Sequence, residues 1–99
     1  MKPHTFHPEA DLEYTDAVAY YAGVDLNLGK RLNDEIEHVI RIICSQPDRF
    51  RLFQGVAIRR ALCQKFPYSI IYSEEPDRVL IIAVMHAKRK PGYWLNRTA

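Results

Sequence analysis

Seven consecutive apolar residues, Val79 to Met85 ("VLIIAVM"), constrain this chain more than any other feature. The run is far shorter than the roughly 20 residues needed to cross a bilayer, and its β-branched content favours extended backbone. A strand that is apolar on both faces needs cover on both, which predicts a central position in a sheet with material packed above and below. With 99 residues, 47% of them apolar, the chain suffices for one domain spanning 1–99 with one core and is too short for two. Its N-terminus, "MKPHTFHPEADLEY", lacks the apolar stretch of a signal peptide, so the reading is a cytoplasmic protein without a membrane partner.

The remaining segments supply the cover. "PHTF" reads as a short first strand, closed by Pro8, which suits the first turn of a helix. In "PEADLEYTDAVAYYAGV" the acids Glu9, Asp11 and Glu13 crowd the first turns, where the helix dipole favours them, and Leu12, Ala17, Val18 and Tyr21 recur near helical spacing up to Gly23. Leu28, Leu32, Ile36, Val39, Ile40 and Ile43 form one stripe of a second helix, with charges on its other side and Pro47 as its stop. The two helices, joined by a short link, are predicted to form an antiparallel hairpin. After the loop "DRFRLFQG" the period becomes two: Val56 to Leu62, Phe66 to Tyr72 and the apolar run read as three strands of an antiparallel meander. The predicted fold is α+β, β-α-α-β-β-β, with the helical hairpin on one face of a small sheet and the other face partly free.

Charge is distributed unevenly. Residues 1–54 carry six cations against nine acids, a net of −3, and residues 55–99 carry eight against three, a net of +5. Such a basic half suits a polyanionic partner, either nucleic acid or an acidic protein segment. Cys44 and Cys63 lie in no CxxC or Cys/His metal spacing and read as buried free thiols. His4 and His7 have no third ligand nearby, so neither a metal nor a cofactor is expected.

The basic half contains "HAKRKPGYW", residues His86 to Trp94, directly behind the apolar run. A polar cluster at the exit of a central strand is presented at the rim of a rigid sheet, "PGY" turns the chain, and Trp94 is placed to fold back over the sheet. Arg59 and Arg60 occupy adjacent strand positions and therefore point to opposite faces.

"HPEADLEYTDAVAYY", "LGKRLNDEIEHVIRIICSQP", "IRRALCQKFPYSIIY" and "VLIIAVMHAKRKPGYWLNR" together resemble the RelE/ParE superfamily, the toxin halves of bacterial type II toxin-antitoxin modules. The resemblance runs from about Phe6 to Arg97. It implies a small inhibitor of bacterial growth held inactive by a cognate antitoxin from the adjacent gene. Its target would be either DNA gyrase, poisoned by binding, or ribosome-bound mRNA, cut without a metal.

Cutting RNA without a metal needs a group to take the 2′-hydroxyl proton, one to protonate the leaving oxygen, and cations for the phosphate. His86, Arg89 and Tyr93 are the candidates for that chemistry. The resemblance weakens it at one position: ribonuclease members carry a catalytic arginine where "FPYSIIY" has Ser69, and another falls near Ala87. The gyrase-poison reading needs no base and uses Arg59, Arg60, Lys88, Arg89, Lys90, Tyr93 and Trp94 as a surface for target or antitoxin, since Arg, Tyr and Trp are frequent interface anchors. This second reading is slightly favoured.

Overall fold

The computed structural model describes residues 1–53 and 55–97. Strands β1 (His4–Phe6), β2 (Arg51–Leu52), β3 (Arg59–Leu62), β4 (Tyr68–Glu74) and β5 (Val79–His86) form one sheet in the order β1-β5-β4-β3-β2. All neighbours are antiparallel except β1, which runs parallel to β5. Helices α1 (Pro8–Val24) and α2 (Leu26–Ser45) form the predicted hairpin, and a single 3-10 turn (Leu95–Arg97) follows the sheet. The α+β architecture is the predicted one, with β2 added.

Strand β2 falls in the stretch read as a loop. Two residues are too few to display a period, and their pairing follows from closure of the turn after them, where the Phe53 N–H donates to the Ile58 carbonyl at 2.9 Å. Gly55 in that turn has φ +82°, a backbone region glycine reaches without strain. Gln54, within the predicted loop, lies outside the described residues.

One residue links the helices. The Asp25 N–H donates to the Tyr21 carbonyl at 2.9 Å, closing α1, and its carboxylate accepts the Asn27 N–H at 2.8 Å, opening α2. Because Asp25 serves both ends, α1 runs past Gly23 to Val24. The hairpin is tight at Gly29, where an added Cβ would come 2.6 Å from the Ala22 Cβ.

The faces of the sheet are covered differently. On the helix side Leu32, Ile36, Ile40 and Ile43 pack with Ile70, Tyr72, Ile81 and Val84. Helix α1 buries only Ala10 and Ala17, while Leu12, expected on its inner stripe, is exposed. Small side chains let the helix lie close to β5 where leucines would hold it away. On the outer side Ile58, Ile71, Ile82, Ala83 and Met85 lie beneath Trp94, which is 1% exposed. The apolar run thus has cover on both faces, as its composition required. Trp94 has no acceptor for its indole N–H among the described residues, so packing alone holds the ring.

Polar side chains fix the links. Glu35 of α2, one of the charges opposite the apolar stripe, accepts the backbone N–H groups of Gln64 and Lys65, the latter at 2.8 Å, and so anchors the β3–β4 link to the helix. The Tyr72 hydroxyl donates to the Pro47 carbonyl at 2.6 Å, and burial pushes its pKa up to about 12. Tyr20 on α1 is 69% exposed.

Candidate functional site

The geometry of the closing segment follows from the shortness of β1. That strand pairs with Val79 to Ile81, and the His7 N–H makes the last bond, to the Ile81 carbonyl at 2.9 Å. Pro8 then starts α1, leaving the rest of that β5 edge without a neighbouring strand. Unpaired backbone groups there need other partners. The Glu13 carboxylate accepts the Val84 N–H at 3.0 Å, and the Arg97 guanidinium donates to the Ile82 carbonyl at 3.1 Å. Arg97 also grips Glu13 through two bonds, at 3.0 and 3.1 Å, in a fork geometry that favours strong pairing. An ion pair from α1 and the closing turn thus takes the place of strand residues.

Two further residues gather on the same carboxylate. The Tyr93 hydroxyl donates to Glu13 at 2.8 Å, and Arg89 approaches it at 3.5 Å while stacking 3.6 Å above the centre of the Tyr93 ring. Arg97 lies 5.1 Å from the same ring centre. Burial, then the bond to Glu13 and that carboxylate's charge, hold the Tyr93 phenol far above its usual range, against the opposing pull of Arg89 and Arg97. With two guanidinium groups and one carboxylate the cluster keeps one positive charge, which Arg89, with half of its side chain exposed, presents to solvent.

The other predicted residues are distributed around this cluster and beyond it. His86 receives the Lys88 N–H on Nδ1 at 3.0 Å and packs edge-on against Tyr68, the two ring centres 5.1 Å apart. It lines one groove with Arg89, Tyr20 and Tyr68 where α1 crosses β5. Lys88 and Lys90 are exposed on the turn that follows, and Gly92, at φ +98°, bends the chain toward Trp94. Arg59 and Arg60 stand two strands away on β3 and face opposite ways, as alternation predicts. Arg59 donates to the Phe50 carbonyl at 2.6 Å, whereas Arg60 lies over the Phe53 ring on the outer face. The structure therefore gathers Arg89 and Tyr93, sets His86, Lys88 and Lys90 beside them, and keeps Arg59 and Arg60 apart.

Glu13 and Arg97 were missed as site residues. Arg97 lay within the quoted motif, but Glu13 had a sufficient local explanation at the helix N-terminus, and only the fold shows what its side chain meets. Ser69 is 3% exposed and supplies no cation. Among the described residues no group of three or more His, Cys, Asp or Glu could hold a metal ion, and no helix is long and apolar enough to cross a membrane.

Comparison with known proteins identifies the family of the chain. A family model described as the ParE toxin of the type II toxin-antitoxin system parDE matches residues 5–91. Among solved structures, one described as a chromosomal ParDE toxin-antitoxin system from P. aeruginosa superposes with a TM-score of 0.74 at 13% sequence identity. It covers 89% of this chain and 98% of that one, a likeness of fold. No curated protein sequence matches. The family match spans most of the chain, from β1 through the turn that carries Arg89, and this chain belongs to the ParE toxin family, within the RelE/ParE superfamily.

Proposed function

We propose that this protein arrests bacterial growth by binding its target without bond-breaking chemistry of its own, and that the target is DNA gyrase. In this reading it acts in the cytoplasm and is held in check by a cognate antitoxin. The observation that carries it is the engagement of Tyr93 and Arg89 with Glu13. A phosphate arriving at Tyr93 would meet a carboxylate already in place, and a phenol whose proton is held this firmly makes a poor base near neutral pH. Ser69 adds no cation to offset that carboxylate. What remains outward is Arg89, Lys88 and Lys90 on a braced turn, a surface suited to an acidic partner.

A second reading, ribosome-dependent mRNA cleavage, is favoured by one observation: His86 and Arg89 line a common groove. The experiment that separates the readings induces the toxin without antitoxin and profiles the arrested cells for DNA breaks and mRNA cuts in parallel. Trapped cleaved DNA with intact transcripts is the expected result. Transcript cuts at codon positions, with supercoiling unaffected, would reject gyrase.

A further inference from the structure

The end of the sheet away from Glu13 contains an arrangement that the closing segment does not explain. Arg51 on β2 and Arg60 on β3 stand directly opposite each other in register. Like charges at such a cross-strand pair repel and destabilise the sheet. Neither makes an ion pair with a carboxylate among the described residues, in contrast to Arg89 and Arg97. Together with Leu52 and Phe53 they line an open groove of about 370 Å³. Its floor is firm: Arg60 lies 5.5 Å above the centre of the Phe53 ring, and Phe53 packs on Trp94 with ring centres 4.9 Å apart. An exposed apolar side chain flanks it: Leu62, two residues beyond Arg60 on the same face of β3, at 59%.

We infer that this groove is a second binding site, which takes an acidic polypeptide segment whose carboxylates sit between Arg51 and Arg60 and whose apolar side chains cover Leu62. Two planar guanidinium forks held close on adjacent strands match carboxylate geometry, and a bound carboxylate turns their mutual repulsion into attraction. A phosphodiester backbone would satisfy the charge but brings no apolar side chain for Leu62. The Phe53 ring, contacted by Trp94 and Arg60, offers little face for a stacked base. This site is independent of the target that the closing segment engages.

The test uses the full chain and a fluorescent twelve-residue probe peptide of alternating glutamate and leucine, measured by anisotropy beside a duplex DNA probe. Arg51→Thr and Arg60→Gln are each expected to weaken peptide binding by about tenfold, the scale of a lost hydrogen bond to a charged group. Lys30→Ala, an exposed cation on α2, should leave it within twofold. Arg51→Thr should also melt no lower than the parent, since it relieves the repulsion with a residue that favours strands, so lost binding is not lost folding. Peptide affinity within twofold of the parent in both folded arginine variants would overturn the site. So would a duplex that binds with the same arginine dependence while the peptide does not.

Discussion

The two ends of the sheet treat their arginines in opposite ways. At the β5 end Arg97 and Arg89 converge on one carboxylate, and Arg97 with Glu13 closes an edge that β1 is too short to reach. At the β2 end Arg51 and Arg60 oppose each other with no carboxylate paired to either among the described residues. The contrast shows that a basic residue near the rim is not by itself a sign of a binding surface. Where an acid from another element grips a buried cation, as Glu13 grips Arg97, the cation belongs to the fold; a half-exposed one such as Arg89 still offers charge to a partner, and where no carboxylate meets the pair the repulsion marks a surface that awaits an anion.

The largest effect should come from breaking the compensated end. Glu13→Ala leaves Arg97, whose side chain is 11% exposed, without its partner and the Val84 N–H without its acceptor. Stripping one partner from so buried a pair costs about 3–5 kcal/mol, and chemical denaturation should show a loss in that range. The exposed Lys2–Glu74 pair is the internal control, because Glu74→Ala should cost about 1 kcal/mol or less.

A smaller change comes from Tyr93→Phe, which keeps the ring under Arg89 and removes only the hydroxyl. The lost bond to a charged acceptor is worth about 1.5 kcal/mol, enough to lower the melting temperature by several degrees while leaving the fold intact.

Alkaline pH sharpens the comparison through the phenols. Burial holds Tyr72 neutral up to about pH 12, and Tyr93 is displaced in the same direction. A raised folded-state pKa contributes stability that is fully present below the unfolded value of about 10 and is lost as pH rises through the folded value. Unfolding free energy should therefore hold to about pH 10 and fall from there toward pH 12. In Tyr93→Phe the fall should be shallower. The smallest effect is expected at the uncompensated end, where Arg51→Thr should raise stability by about 0.5 kcal/mol by removing a like-charge pair.

Much of this was legible in the sequence, for reasons that particular residues make plain. The helix stripe from Leu28 to Ile43 and the unbroken run from Val79 to Met85 each repeat one rule over enough residues to set the helix pair, the meander and the covered position of β5. Trp94 was readable because a two-faced apolar strand demanded a lid. Residues whose role depends on two distant elements meeting were not legible. Glu13 lies 84 positions before Arg97, and no spacing rule joins them. Strand β2 escaped because two residues cannot show alternation, and the opposition of Arg51 and Arg60 became visible only once that strand was paired.

The central claim is that the Tyr93 hydroxyl serves the latch on Glu13 and carries no chemistry toward the target. The most direct test induces Tyr93→Phe, shown to be folded, in bacteria without antitoxin and compares growth arrest and gyrase supercoiling with the parent chain. Full arrest with gyrase inhibited as strongly as by the parent is the predicted result. A folded Tyr93→Phe protein that no longer arrests growth, together with parent-induced mRNA cuts that vanish in the variant, would contradict it.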